Sequence, residues 1–186
     1  MRQKFDAYFD KYEFGLAMLE LESFFWDFCD NYIELVKVRL YNQDLHSQTE
    51  VESAKYALYS VLLEMLKMFS IYMPFVTEEI YQNTFKSTAK CISVHKLQFA
   101  KTIEHVDTNL IDMGNEVCAI VCAVRGFKTE NKISLKTALK TVNIVAKNKD
   151  FVQSCLSDIK DATCAQQIVI SSGKMLEVKV DGIVEN

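Results

Sequence analysis

Apolar residues recur three and four positions apart along most of this chain, which is the spacing of helices that bury one face. After a short helical stretch at residues 4–11, the spacing predicts four helices, over residues 14–41, 50–72 and 78–85 and from about 108 to 127. The first of the four carries its acidic residues before its basic ones, an order that suits the helix dipole. We therefore expect the larger part of the chain to fold as a four-helix bundle.

Pro74 is the only proline and should stop or kink the second of these helices, because proline lacks a backbone donor and clashes with the preceding turn. Thr77 is followed by two acidic residues, which predicts a capped start for the third helix. Residues 86–106 show no clear period, and we expect them to cross the bundle as a long irregular connection. Asp107 or Thr108 should cap the fourth helix.

The pattern changes after residue 132. It predicts a β-branched strand at 141–146, an amphipathic stretch at 150–160, and strand-like runs at 166–170 and 175–180. The turn residues at 171–174 separate the last two runs, which predicts a hairpin. The predicted fold class is mainly α, with a four-helix bundle in residues 1–139 and a small α/β (β-α-β-β) appendage in residues 140–186.

The composition is that of a globular protein, with 49% hydrophobic and 25% charged residues. No apolar run approaches the ~20 residues of a membrane helix, and the first residues lack the apolar core of a signal peptide. We therefore expect a cytoplasmic protein with no membrane partner. The six cysteines form no CxxC pair, so reduced thiols are expected, and Cys118 with Cys122 lacks the further ligands of a metal site.

Basic residues are concentrated in one segment, residues 125–149, which holds seven Lys and Arg and one Glu. This segment has a net charge of +6 in a chain whose net charge is −4, so the remainder carries −10. Such an asymmetric field steers polyanions toward one face. From the charge alone, a solvated surface that only keeps the protein soluble is an equally good interpretation.

Two places combine positive charge with groups that suit nucleic acid. Arg125 and Lys128 lie three residues apart and hence on one face of the fourth helix, and the loop after that helix continues the basic segment. At the end of the first long helix, Arg39 and Tyr41 could supply a fork of donors and a stacking ring, although a snorkelling pair at a helix end explains them slightly better. The candidate contacts are Lys37, Arg39, Tyr41, Arg125, Lys128, Asn131, Lys132 and Lys136.

Four strings in this pattern together resemble one known family. They are YEFG at 12–15, FWDFCDNYIE at 25–34, PFVTEEI at 74–80 and VRGFKTENKISL at 124–135. They resemble the anticodon-binding helical domain of class I aminoacyl-tRNA synthetases. The proline-containing string is shared by the valine, isoleucine and leucine enzymes, and the other three favour the valyl-tRNA synthetase family.

The resemblance implies a fragment that binds the anticodon stem-loop of tRNA(Val) and orients it for an upstream catalytic domain of the same parent chain. That absent domain would join valine to the tRNA with ATP, so no cofactor and no catalytic residue is expected here, and the fragment should be inactive alone. The string KISLK at 132–136 differs from the Lys-Met-Ser-Lys-Ser loop in its last two positions, and no His-x-Gly-His signature is present. Residues 140–186 also lack the heptads of the coiled-coil arm that comes after the bundle in one pattern of the family.

Two alternatives stay open at this point. The chain could be the same domain of an isoleucyl or related synthetase, which changes the tRNA but not the mechanism. It could also be a helical protein-interaction module with no role in RNA binding. Salt dependence separates RNA from protein as the partner, because phosphate contacts release counterions.

Overall fold

The structure, a computed structural model, describes residues 1–41, 44, 46–100 and 107–184. Its internal contacts divide the chain into two compact units. The first unit comprises residues 1–29 with 49–105, and the second comprises residues 30–48 with 106–186. The predicted boundary at residue 139 does not coincide with this division, because the last long helix belongs to the same unit as the C-terminal sheet. Whether residues 1–139 fold separately stays a prediction.

The first unit is helical. Its helices are α1 (Arg2–Asp10), α2 (Phe14–Asp27), α4 (Gln48–Phe69), α5 (Pro74–Thr84) and α6 (Lys86–Ala89). Ala17 and Leu21 of α2 and Met65 and Met68 of α4 are buried, as the apolar spacing predicts. The hydroxyl of Tyr72 donates to the carbonyl of Phe14 at 2.8 Å.

The predicted first long helix is helical throughout but not uniform. After α2 the chain makes a π-helical turn over Phe28–Ile33 and continues as α3 (Glu34–Tyr41). A π-helical turn holds more residues than an α-helical one, so the three-and-four spacing of the sequence does not continue unchanged through residues 28–33. Phe28 and Val36 are therefore buried while Phe25 and Tyr32, which the spacing places in the core, are only half-buried.

The sequence predicts a break at Pro74, and here the structure corrects the start of the next helix. Helix α4 ends at Phe69, and α5 begins at Pro74 itself rather than at residue 78. Proline suits the first helical position, where its missing donor would have no intrahelical partner. The Thr77 hydroxyl does not cap the helix; it donates to the carbonyl of Met73 at 2.7 Å.

Glu78 holds part of the predicted irregular connection. Its carboxylate accepts from the Ser93 hydroxyl at 2.8 Å and from the Val94 amide at 3.0 Å, at the start of a 3₁₀ turn over Val94–Lys96. The side-chain hydrogen bond from Gln82, and then those from Ser93 and Val94, lower the pKa of Glu78, although desolvation opposes them. The connection is thus tied to α5, and residues 101–106 lie outside the described residues.

The second unit contains α3 and α7 (Thr108–Glu130) with a small α/β segment. That segment runs β1 (Leu139–Ala146), α8 (Lys149–Ser154), α9 (Leu156–Thr163), β2 (Ala165–Ser172) and β3 (Glu177–Ile183). The β-α-β-β order confirms the predicted fold class, although the amphipathic stretch forms two helices. Of the two predicted caps, Asp107 and Thr108, it is the Asp107 side chain that caps α7, by accepting from the Leu110 amide at 3.1 Å.

The predicted hairpin is wrong. The strand order is β2-β1-β3, with β1 parallel to β2 and antiparallel to β3, so β2 and β3 do not pair with each other. Burial explains the order, because β1 places Leu139, Val142 and Ile144 in a core with Val117 and Val124 of α7. The most apolar strand therefore takes the central position, and the two half-exposed strands form the edges.

Candidate nucleic-acid interface

The exit of α7 carries two of the exposed lysines of the basic segment. Lys132 has a φ of 57°, and the amide of Ile133 donates back to the carbonyl of Lys128 at 3.0 Å. This is a left-handed helix end, a position at which glycine is usual. Asn131, Lys132 and Lys136 are exposed here, just beyond the negative end of the helix dipole. We call residues 131–138 the exit loop.

Arg125 and Lys37 share one carboxylate. The Arg125 guanidinium lies 3.0 Å from Glu34, which also forms an ion pair with the Lys37 ammonium. A second contact of 3.4 Å joins Arg125 to the carbonyl of Asp30. These three charged side chains have a net charge of +1, whereas the two lysines of the exit loop carry +2. Their attraction for phosphate is therefore weaker than that of the exit loop.

Arg39 is engaged inside the second unit. Its guanidinium donates to both oxygens of Asp158 on α9, with one bond of 2.6 Å, and the Asp158 side chain is 6% exposed. Burial raises the pKa of the neighbouring Tyr32 hydroxyl, and the Arg39 charge opposes that rise. A bidentate pair of this kind fixes a guanidinium plane, so Arg39 joins α3 to α9.

Tyr41, by contrast, is presented to solvent. It is the last residue of α3 and is 84% exposed. An exposed ring at the end of a helix can stack on an unpaired base, because every base has a π-face.

Lys128 is the candidate whose placement differs most from the prediction. Its side chain is fully buried, with 1% of the residue exposed, and its ammonium donates at 2.8 Å to the carbonyls of Leu135, Thr137 and Thr163. Burial lowers the pKa of this ammonium. The sequence contained a signal for this, because position 128 continues the buried stripe of Val117, Val121 and Val124 on α7.

The first unit offers a different kind of surface. A groove of about 640 Å³ opens between α2, α4 and α5, and its lining is apolar apart from Glu22, Thr77 and Thr84. The lining includes Met18, Phe25, Trp26, Phe69, Met73 and Ile80. Trp26, the only tryptophan, is 55% exposed there. Sequence patterning did not predict this groove, because its residues also satisfy the spacing of a buried helix face.

Comparison with known proteins decides the family. Residues 2–144 match the family described as the anticodon-binding domain of tRNA ligase. This chain belongs to that family. The matched range contains all eight candidate contacts, whereas Asp158 and Thr163, which hold Arg39 and Lys128, lie beyond it.

Valine–tRNA ligases are similar to this anticodon-binding domain over most of its length. The enzyme of Anaplasma marginale is 34% identical over 171 residues, covering 91% of this chain and 20% of the relative. That of Thermococcus kodakarensis is 33% identical and covers 89% of this chain and 19% of the relative. That of Cutibacterium acnes is 35% identical over 138 residues. The chain therefore spans about a fifth of the length of these relatives.

Neither a metal cluster nor a membrane-spanning helix is found among the described residues. Within residues 1–41, 44, 46–100 and 107–184, no group of three or more His, Cys, Asp and Glu side chains could hold a metal ion. In the same ranges, no helix is both long and apolar enough to cross a membrane.

Proposed function

We propose that this domain binds the anticodon stem-loop of tRNA(Val) and orients the tRNA for aminoacylation by a catalytic domain elsewhere in a valine–tRNA ligase. The family match carries the proposal of tRNA as partner. The relatives, each named a valine–tRNA ligase, favour valine over isoleucine. In this proposal ATP and valine belong to the catalytic domain, the parent enzyme acts in the cytoplasm, and this chain alone does not aminoacylate.

The exit loop is the proposed phosphate contact. Lys132 and Lys136 are exposed and belong to the same short loop, so their charges add at one place. Lysine binds phosphate as a point charge and releases condensed counterions, which makes affinity fall steeply with salt. Asn131 donates its side-chain amide to the carbonyl of Phe127 at 2.8 Å, and the amide oxygen is the part proposed to accept from RNA.

Tyr41 is the proposed stacking residue. Arg125 and Lys37 contribute a partly neutralised charge beside the helix end. Arg39 and Lys128 hold their own unit together, so we leave them out of the direct RNA contacts. Proteins recognise single-stranded loops through splayed bases and bind phosphates through charge. In this proposal Tyr41 stacks on a base, and the exit-loop lysines bind the phosphates.

The apolar groove supports a second partner, the rest of the parent polypeptide. Contiguous apolar surfaces of this kind are rarely left uncovered on soluble proteins. The valine–tRNA ligases in the comparison are about five times longer than this chain, so such proteins contain further chain from which a covering segment could come. We propose that the catalytic part of the same parent chain occupies the groove. The same observation favours the alternative of a protein-interaction module.

Binding of a fluorescent anticodon stem-loop at low salt tests the proposal. We expect the tRNA(Val) hairpin to bind more tightly than the tRNA(Ile) hairpin. A Lys132→Gln/Lys136→Gln variant should bind about tenfold more weakly, if each contact contributes about 0.7 kcal/mol. The matched control is Lys174→Gln/Lys179→Gln, which removes the same charge from exposed positions of the same unit. Equal loss in both variants would show that only net charge matters, and no binding to either hairpin would contradict the RNA function.

A further inference from the structure

The buried ammonium of Lys128 fills a cage of three carbonyl oxygens. Leu135 and Thr137 contribute two of them from the exit loop, and Thr163 contributes the third from the last residue of α9. Each lies 2.8 Å from the nitrogen, and an ammonium has three donors, so every donor has an acceptor. The lysine is thus completely satisfied although only 1% of the residue is exposed.

A charge in this position is supported by its surroundings. Taking an ammonium out of water is costly unless it is fully hydrogen-bonded, and hydrogen bonds from a charged donor are stronger than neutral ones. The third oxygen lies at the C-terminal end of α9, where the helix dipole favours a cation. Cys164 comes next in the left-handed conformation, with a φ of 54°, so the helix ends at the cage.

The other described hydrogen bonds of the exit loop are mostly local. The Thr137 amide donates to the Ser134 carbonyl at 2.9 Å, and the Lys136 amide donates to the Ser134 hydroxyl at 3.3 Å. The Cys164 thiol makes one long contact of 3.9 Å with the Leu135 carbonyl. At the end of the loop, the Val184 amide donates to the Ala138 carbonyl at 3.0 Å. Between residues 134 and 137, the two bonds from the Lys128 ammonium are therefore the strong described links to the body of the unit.

We propose that Lys128 is a positioning residue for RNA binding: by filling the carbonyl cage, its ammonium fixes the exit loop in the conformation that presents Lys132 and Lys136. The positioning role rests on the RNA function proposed above. The carbonyl cage itself can be tested without RNA. Lys128 touches no phosphate in this mechanism and acts only through the loop.

The cage is tested first in the unmodified protein. In an NMR spectrum that detects lysine ammonium groups, the Lys128 ammonium should exchange slowly with water, and the Lys128→Met variant should lack that signal while keeping any signal from Lys67, the other buried lysine among the described residues. Absence of a protected ammonium that Lys128→Met removes would overturn the cage. The retained Lys67 signal shows that the first unit of the variant is folded.

Loop order is tested by hydrogen exchange and chemical rescue. In Lys128→Ala, exchange of the Thr137 amide should accelerate at least tenfold, the equivalent of one charged hydrogen bond at about 1.5 kcal/mol. Propylammonium should restore protection by entering the vacated cage, whereas tetramethylammonium, which has no N–H donor, should not. Lys128→Met fills the space and should not respond to propylammonium. Unchanged exchange in Lys128→Ala, or rescue by both cations, would contradict the proposal.

The positioning role is tested by a double-mutant cycle on RNA affinity. If Lys128 acts through the loop, the roughly tenfold loss caused by Lys132→Gln/Lys136→Gln should shrink to less than threefold in a Lys128→Met background. Independent losses that multiply would mean that Lys128 contacts phosphate itself or only stabilises the fold. If the unmodified protein binds no RNA, the proposed function and the positioning role fail together, and the exchange experiment then judges the cage alone.

Discussion

The ion pair between Arg39 and Asp158 gives the sharpest prediction about stability. Both carboxylate oxygens of Asp158 accept from the guanidinium, and the Asp158 side chain is almost completely buried. Replacing Asp158 with alanine removes both carboxylate oxygens that the Arg39 guanidinium binds, and breaking a buried pair in this way costs about 3–5 kcal/mol. Because 22% of the Arg39 side chain is exposed, solvent compensates part of the loss. We expect about 3 kcal/mol for Asp158→Ala, at the lower end of that range.

The assay should report on the second unit. The only tryptophan, Trp26, lies in the first unit, so its fluorescence is a poor probe. Hydrogen exchange of the β1 amides is suitable, because that strand is central and its core side chains are buried. A loss of about 3 kcal/mol should accelerate exchange by global opening about a hundredfold. Arg39→Met combined with Asp158→Ala should cost less than the sum of the single changes by about 2 kcal/mol.

Two results would refute this reasoning. A cost below about 0.5 kcal/mol, with additive single changes, would mean that the pair behaves like one on the surface. The second refuting result would be tighter RNA binding by the Asp158→Ala variant. If Arg39 contacted RNA directly, Asp158→Ala would release its guanidinium and tighten binding, whereas we expect weaker binding because the end of α3 loses its connection to α9.

Three further predictions concern single side chains. Lys132→Gly should stabilise the second unit by about 1 kcal/mol in urea unfolding, because glycine adopts the left-handed conformation without strain, and yet it should weaken RNA binding; a loss of stability would contradict the helix-end assignment. The pKa of Glu78 is lowered, chiefly by the hydrogen bond from Gln82, so its stabilising contribution is present above pH 4.5 and is lost as the pH falls through the lowered value. The protection factor of the Val94 amide, which is the exchange rate of an unfolded amide at the same pH divided by its own exchange rate, should therefore fall in acid, and Glu78→Gln should abolish that pH dependence. Tyr81→Phe should cost about 1 kcal/mol in thermal unfolding, because the buried hydroxyl bond of 3.0 Å is lost, and no change would show that water replaces it.

Local signals in the sequence predicted the helical part of the fold well. The apolar spacing identified α2, α4 and α7, and the Asp107 side chain marked the start of α7. The start of α5 was missed because Pro74 was interpreted only as a breaker, although it also suits the first position of a helix. Strand pairing was missed because it depends on which strand is buried, and β1 takes the central place through contacts with α7.

The candidate site, too, could be predicted from the sequence only in part. Charge patterning found the basic segment, but it could not separate the exposed Lys132 and Lys136 from the buried Lys128. That difference depends on carbonyls of residues 135, 137 and 163, two of them in a loop and one far along the chain. Likewise, Asp158, the partner of Arg39, lies 119 residues away along the chain. The position of Arg39 at the end of a helix gives no information about so distant a partner.

The salt dependence of binding to the tRNA(Val) anticodon stem-loop tests the central claim most directly. The logarithm of the affinity should fall linearly with the logarithm of salt concentration, and the slope should be smaller by about 1.5 in Lys132→Gln/Lys136→Gln, as expected for two lost phosphate contacts. The control Lys174→Gln/Lys179→Gln should keep the original slope. Binding that is absent at low salt, or a slope that the exit-loop variant leaves unchanged, would contradict the proposed role of the exit loop.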